Sequence, residues 1–198
     1  FQQYPHIGVF GGSGSGKSFG LRVIMEEVMK HRFPALILDP HYEMEFSESQ
    51  ENGLEKRDFK DVFKKFQIGE DIGVEFLNLS RGDLMALLSA VSPLTEAMSS
   101  AVQELHLRGD TYLSFSNRLE LLGEALEMGR SRIEQALKQD MEPMEQEKYI
   151  KMRQLFEKYQ NTPLPSVQGI IWRLRRLYSS GLFSHDIKPV KEAMMQGK

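Results

Sequence analysis

Apolar residues follow two different spacings on either side of about residue 80. Before that point, short apolar runs separated by turn residues predict strands at residues 6–10, 35–38 and 74–77. The second run is continuously apolar, which is typical of a strand in a parallel sheet whose two faces are both covered. Between the first two strands, apolar positions at helical spacing predict a helix over about residues 17–30. These three elements have the size of a βαβ unit.

After about residue 80, strand patterns disappear and helix-forming residues take over. The stretch from about residue 80 to 160 therefore predicts a helical insertion or subdomain. Helical periodicity and capping residues, including Ser92-Pro93 as the start of the first helix, predict the individual elements. The predicted helices cover about residues 93–107, 119–128, 132–139, 143–160 and 166–178.

The last predicted helix has an apolar stripe on one side and arginines elsewhere. Arg175 and Arg176 lie opposite the stripe together with Trp172, and Arg173 lies near its border. Residues 151–198 contain nine Lys and Arg against three Asp and Glu, whereas the rest of the chain has an acidic excess. The arginines form either a solvated helix face or a surface that meets DNA or another subunit.

Residues 11–18, Gly-Gly-Ser-Gly-Ser-Gly-Lys-Ser, match the phosphate-loop pattern G-x-x-x-x-G-K-[ST]. Glycines let successive backbone N–H groups turn towards phosphate oxygens, and the helix that follows directs its positive end at the same anion. Lys17 can then reach the β- and γ-phosphates, and Ser18 can ligate Mg²⁺. A strand before the motif and a helix after it argue against a chance glycine–serine linker. The motif therefore predicts nucleotide binding.

Asp39 ends the second predicted strand, at the edge of the sheet where a doubly wound fold binds its ligand. A carboxylate there can hold Mg²⁺ through water or orient an attacking water. Glu43 lies four residues further on and could share this task. By itself, the Asp-Pro pair is equally compatible with an ordinary turn.

The composition excludes several classes of protein. The chain has 198 residues, of which 40% are apolar and 27% charged, and a net charge of −3, as in an ordinary globular domain. It contains no cysteine, which excludes a disulfide framework and a thiolate metal site. Neither a transmembrane run nor a signal-peptide pattern is present. We therefore predict a cytoplasmic protein without a membrane partner.

Three segments resemble the HerA-like branch of the HerA/FtsK superfamily of P-loop ATPases. Residues 6–18 are similar to the opening strand and phosphate loop of that branch, and residues 38–43 are similar to its D-P-H-G-E segment. Residues 174–183 resemble the family's R-x-L-x-x-x-G-[IL]-F helix exit. Tyr42 stands where the family usually has glycine, which affects the turn that places Glu43.

The resemblance implies an α/β fold, a RecA-like P-loop NTPase core with a mainly parallel sheet and an inserted helical bundle. It divides the chain into an N-terminal part of the core (1–79), the inserted bundle (80–164) and a return to the core (165–198). It also implies a homo-oligomeric, hexameric ring that hydrolyses ATP with Mg²⁺ and translocates duplex DNA. A nuclease or another effector would work with such a ring in DNA end processing or phage defence.

The resemblance also assigns roles to residues of the two motifs. Lys17 would neutralise charge that builds on the phosphate oxygens, and Ser18 would hold Mg²⁺. Asp39 would act near the metal, through water, or on the attacking water, and Glu43 is a further catalytic candidate. The candidate nucleotide-binding residues are Gly12, Ser13, Gly14, Ser15, Gly16, Lys17, Ser18 and Phe19.

HerA-like motors also need a Walker B strand that ends in Asp-Glu and an arginine from a neighbouring subunit, and this sequence contains no such strand. We therefore expect the 198 residues to be the N-terminal part of an ATPase core, inactive alone and stabilised by further chain or by assembly. Two alternatives stay open. One is an FtsK-like or secretion-type pumping ATPase, and the other is a nucleotide-binding ring scaffold without motor activity.

Overall fold

The computed structural model describes residues 8–46, 59 and 61–196. Within these residues the regular secondary structure is helical, with a single-turn 3-10 helix at Phe76–Asn78 and eight α-helices. None of these helices is long and apolar enough to cross a bilayer. The α-helices are α1 (Lys17–Lys30), α2 (Arg81–Val91), α3 (Glu96–Leu105), α4 (Tyr112–Met128), α5 (Arg130–Ala136), α6 (Pro143–Tyr159), α7 (Leu164–Ser179) and α8 (Lys188–Met195).

The chain forms two compact units. The first comprises residues 1–66 and 188–198, and we call it the loop unit because it contains the glycine-rich motif. The second comprises residues 67–187 and contains α2 to α7, and we call it the helical unit.

The predicted α/β fold is wrong, because the described residues contain no strand and no sheet, only an isolated bridge between Ile68 and Ile72. Residues 8–10 and 35–38 have no regular secondary structure, and the side chains of Phe10 and Leu38 are 93% and 82% exposed. A strand of a parallel sheet needs hydrogen-bonded neighbours and apolar cover on both faces. These two runs have neither among the described residues, so a RecA-like sheet is absent there. Residues 6–7, where the first strand was predicted to begin, lie outside the described residues.

The third predicted strand, at residues 74–77, is replaced by a loop and a 3-10 turn. The Val74 N–H donates to the carbonyl of Leu182 at 2.7 Å, and the Gly73 N–H donates to the carbonyl of Asp186 at 3.2 Å. The Phe76 side chain is buried, in the apolar core of the helical unit. Loop-to-loop hydrogen bonds therefore satisfy this backbone where a sheet partner was expected.

Helix positions were predicted more successfully than strands. The helix expected over residues 17–30 is α1, and the other predicted segments overlap α3 to α7, although α5 ends at Ala136, before the predicted end at residue 139. The helix α2 was not predicted. The following helix, α3, begins after Thr95 and not after Ser92, because the Thr95 hydroxyl accepts the Met98 N–H at 3.3 Å and caps the helix.

In the helical unit, α4 packs against α3, α5, α6 and α7, and α7 also packs against α2 and α3. Apolar side chains of α2, α3, α4 and α7 meet in the main core, and α5 and α6 pack with α4 in a second cluster around Ala125, Ile133 and Met152. The side chains of this core that have no exposed surface are Leu84, Leu88, Val102, Phe115, Leu119, Leu122, Val167, Ile170 and Leu174.

The loop unit has a much smaller core. Three buried side chains, Met44, Phe46 and Phe59, pack with Met25 and Met29 of α1. The partly buried residues around them are Ile37, Val62 and Phe63. This core holds α1 against the segment that follows Asp39.

Candidate functional site

The glycine loop (residues 11–18) turns tightly before α1. The Ser15 N–H donates to the carbonyl of Gly12 at 3.3 Å, and the Lys17 ammonium reaches back to the same carbonyl oxygen at 2.7 Å. Gly14 and Gly16 have φ of 77° and 83°, a region that residues with a Cβ adopt only at a cost. Glycine is therefore required at these positions by the backbone itself.

The first turn of α1 leaves backbone donors free. Gly16 is the N-cap and offers no side-chain acceptor, and the first turn carries no acidic side chain. The first helical hydrogen bond runs from the Gly20 N–H to the Gly16 carbonyl, at 2.8 Å. Among the described residues, the N–H groups of Lys17, Ser18 and Phe19 have no acceptor. Free N–H groups at the positive end of a helix dipole attract an anion such as a phosphate.

The side chains of the glycine loop are accessible. Ser13, Ser15 and Ser18 are exposed, Phe19 has 71% of its surface exposed, and Lys17 is partly exposed. The loop therefore presents one ammonium group, several hydroxyls and a row of N–H groups to solvent, which are the groups that bind phosphate oxygens.

Asp39 lies at a turn that its own carboxylate organises. Its Oδ2 accepts the Met44 N–H at 2.8 Å, and its Oδ1 accepts the His41 N–H at 3.2 Å. The hydrogen bond from Met44 is the main reason why the pKa of Asp39 lies below its ordinary value of 3.8. The carboxylate is therefore ionised at neutral pH, and each of its two oxygens accepts one backbone N–H of the turn.

Tyr42, the residue that departs from the family's glycine, has a left-handed backbone with φ of 58°. The turn therefore keeps the conformation that glycine would adopt most easily, at a cost of about 1 kcal/mol for a residue with a side chain. The Tyr42 ring lies under the Lys65 ammonium, which is 5.3 Å from the ring centroid. Glu43 follows with an exposed side chain that makes no hydrogen bond or ion pair within the described ranges.

The two motifs are not joined by direct contact. No hydrogen bond or ion pair between described residues links Asp39 or Glu43 to Lys17 or Ser18. The structure places each motif in the loop unit, with its own local hydrogen bonds. Their cooperation in one site, and the roles given to the individual residues, therefore stay predictions.

Lys65 is a residue of this region that sequence reasoning missed. Its ammonium lies 3.7 Å from Oε2 of Glu45, and its charge also helps to lower the pKa of Asp39. No local signal identifies it, since a gap of more than twenty residues separates it from the turn that it contacts.

Comparison with known families gives one match, which covers almost the whole chain. The family described as the central domain of the helicase HerA matches residues 4–194. Comparison with curated proteins and with solved structures gives no match. The matched range includes the glycine loop, the Asp39 turn and the entire helical unit. The chain therefore belongs to the HerA central-domain family, within the HerA-like branch of the HerA/FtsK superfamily, and is an ATPase of that type.

Proposed function

We propose that this chain is the nucleotide-binding part of a HerA-type DNA translocase or helicase that hydrolyses ATP with Mg²⁺. The observation that carries the proposal is the glycine loop. Its lysine and its free N–H groups lie at the start of α1, in a chain that belongs to this family. The loop offers donors for the β- and γ-phosphates, and such donors stabilise the charge that develops during phosphoryl transfer.

Lys17 and the backbone of the loop would hold the phosphates. The Lys17 ammonium donates to the Gly12 carbonyl at 2.7 Å, so it is held over the loop. Binding would exchange that neutral acceptor for anionic phosphate oxygens, which make stronger hydrogen bonds with an ammonium group. The N–H groups from Gly12 to Phe19 would surround the remaining oxygens.

Mg²⁺ fits the oxygen donors of this region. Ser18 has an exposed hydroxyl in the first turn of α1, and Asp39 has an ionised carboxylate, and both are ligand types that Mg²⁺ prefers. When bound, the metal neutralises charge on the phosphate oxygens. Ser18 would hold it directly, Asp39 would hold it through water or orient the attacking water, and Glu43 would assist as a second acid or base.

The remaining parts of the proposal concern assembly and substrate. A homo-hexameric ring is supported by large apolar side chains that the loop unit leaves exposed, such as Phe10, Phe19, Leu36 and Leu38, since exposure of this kind marks surfaces for association. Duplex DNA as the substrate, and a nuclease or another effector as a partner, are what the resemblance to HerA-like motors implies.

Nucleotide binding by a Lys17→Ala variant tests the central point. Titration of a fluorescent ATP analogue in the presence of Mg²⁺ should give at least about tenfold weaker binding for the variant, since an ammonium–phosphate contact is lost. The matched control is Lys30→Ala, at the other end of α1, where the ammonium pairs with Glu27. Equal ATP affinity in Lys17→Ala and Lys30→Ala would contradict the proposal.

The motor activity needs its own test, because a scaffold could also bind ATP. In the full-length ring, ATP hydrolysis should increase when duplex DNA is added, and light scattering should give the mass of a hexamer. A rate of ATP hydrolysis that does not change when DNA is added would favour a pumping ATPase with another substrate. ATP binding without hydrolysis would favour the scaffold.

A further inference from the structure

Trp172 is an exposed aromatic residue in a cationic setting. It is the one tryptophan of the chain, it lies on α7, and 51% of its surface is exposed. Two guanidinium groups flank its ring, that of Arg173 at 5.6 Å from the ring centroid and that of Arg176 at 5.8 Å. Arg173 is buried and Arg176 is exposed, so the cation–π contact with Trp172 orients the Arg176 guanidinium at the surface.

The positive charge of this face is only partly compensated. The Arg173 guanidinium donates to the carbonyls of Ser92, Pro93 and Gly169, at 3.0, 2.9 and 2.8 Å, and has no carboxylate partner among the described residues. It therefore anchors α7 and keeps its charge.

The two other arginines of this face differ from each other. Arg175 pairs with Glu120, with 2.9 Å between Nη2 and Oε1. Arg176 makes no hydrogen bond with its side chain and no ion pair within the described ranges. Arg173 is buried, so the accessible face has two guanidinium groups and one carboxylate, and Arg176 is its unpaired group.

The shape of the face favours an extended ligand. Trp172, Arg175, Arg176 and Ser179 line a shallow, open groove of about 490 Å³ along α7. A small molecule would not be enclosed by such a groove, whereas small-molecule sites bury most of their ligand. The planar guanidinium fork binds phosphate oxygens in pairs, and the helix holds it rigidly.

We propose that the α7 face formed by Trp172, Arg175 and Arg176 binds the sugar-phosphate backbone of duplex DNA. The inference rests on the proposed function for its choice of polyanion, and it adds a contact surface in the helical unit. Duplex is favoured over single strands because two guanidinium groups already engage the indole ring, which leaves it poorly available for stacking with unpaired bases.

The single tryptophan provides a direct test. Titration of the chain with a short blunt DNA duplex, without nucleotide, should change Trp172 fluorescence in a saturable way. Arg176→Gln should weaken duplex binding about fivefold and lower the slope of log affinity against log salt by about one, since one phosphate contact is lost. The matched control is Arg130→Gln, whose guanidinium is exposed and pairs with Glu134 on α5. It should leave both quantities unchanged.

Several results would overturn the inference. These are no change of Trp172 fluorescence with duplex, equal effects of Arg176→Gln and Arg130→Gln, tighter binding of a single strand, or binding of a poly-glutamate peptide as tight as that of duplex. The last result would identify an acidic protein as the partner. Unchanged circular dichroism of Arg176→Gln confirms that the variant folds.

The test is independent of the ATP site. Lys17→Ala should give the same duplex titration as the unchanged chain, because no nucleotide is present. Failure of ATP binding with an intact duplex response would therefore contradict the proposed function and leave the α7 contact standing. Intact ATP binding without a duplex response would contradict the α7 contact and leave the proposed function standing.

Discussion

The loop unit and the helical unit use apolar residues in opposite ways. In the helical unit, apolar side chains of α2, α3, α4 and α7 pack against one another, and some of them, such as Leu119 and Leu174, have no exposed surface. Among its described residues, the loop unit has a smaller cluster of buried side chains, Met44, Phe46 and Phe59, beside exposed ones such as Phe10 and Leu38. The difference teaches that, within the part of the chain that the structure describes, the chemical motifs lie outside the larger apolar core.

The largest expected effect is loss of core packing in the helical unit. Phe115 is fully buried and contacts Phe76 and His106, so Phe115→Ala should lower the free energy of unfolding by about 3–5 kcal/mol. Leu38→Ala in the loop unit, where the side chain is 82% exposed, should change it by less than about 0.5 kcal/mol. Urea unfolding followed by circular dichroism measures both, and similar losses would contradict the comparison.

The second effect concerns an ion pair of the helical unit whose carboxylate is buried. Arg118 donates to both oxygens of Asp110, at 2.7 and 2.9 Å, and to the Leu105 carbonyl. Arg118→Met removes the charged partner of the carboxylate, which keeps only the Leu107 N–H and the Ser114 hydroxyl as donors, and should cost about 3 kcal/mol.

The matched control for this pair is Arg130→Met, which breaks an exposed pair with Glu134 and should cost less than about 0.5 kcal/mol. The same urea titration applies to both variants. A loss in Arg118→Met no larger than in Arg130→Met would show that the buried pair contributes nothing special.

The third effect tests the backbone of the glycine loop. Gly16 has φ of 83°, so Gly16→Ala should destabilise the start of α1 by about 1–2 kcal/mol. Gly20 lies inside α1 with open space around its Cα, and Gly20→Ala should stabilise the helix by about 0.5–1 kcal/mol. Hydrogen exchange of the α1 amides should become faster in the first variant and slower in the second. Changes of the same sign would contradict the left-handed conformation of Gly16.

The smallest effect, about 1 kcal/mol, concerns a buried imidazole in the helical core. The His106 ring lies against Phe76 and Phe115, and neither of its nitrogens has a hydrogen-bond partner among the described residues. Burial is the main cause that lowers the pKa of His106 below 6.5; Asp110 acts against this, and Arg81 and Arg118 add to it.

Because the unfolded chain binds this proton more readily, the unchanged protein should lose stability as the pH falls below about 6.5. His106→Phe should remove that step and gain about 1 kcal/mol at neutral pH, since no unpaired nitrogen stays buried. Unfolding titrations at pH 5 and pH 7 compare the two proteins. Equal pH dependence would contradict the neutral, buried state of His106.

The sequence was a good guide to helices and a poor guide to strands. Periodicity over many residues located α1, α6 and α7 closely, because one stripe of side chains must face a core. A short apolar run carries no such information, and residues 35–38 fit a buried strand only if partners pair with them. The structure supplies no such partner within the described residues, and the run has no regular secondary structure and is largely exposed.

The candidate site, too, was predicted from the sequence only in part. The spacing of residues 11–18 identified the glycine loop, and residues 6–18, 38–43 and 174–183 together indicated the family. Glycine is needed where φ is positive. The sequence could not predict that Lys65 lies near the Asp39 turn, nor that Arg173 is buried against carbonyls of the α2–α3 connection. Both features depend on contacts between distant residues.

By itself, the sequence determined the family, the glycine loop and the helical periodicity, since these depend on residue types at fixed local spacings. Only the tertiary structure decided which apolar runs are buried, which of the arginines on α7 keeps a free charge, and which lysine reaches Tyr42. Burial and pairing depend on residues far apart in the chain, and a local pattern cannot specify them.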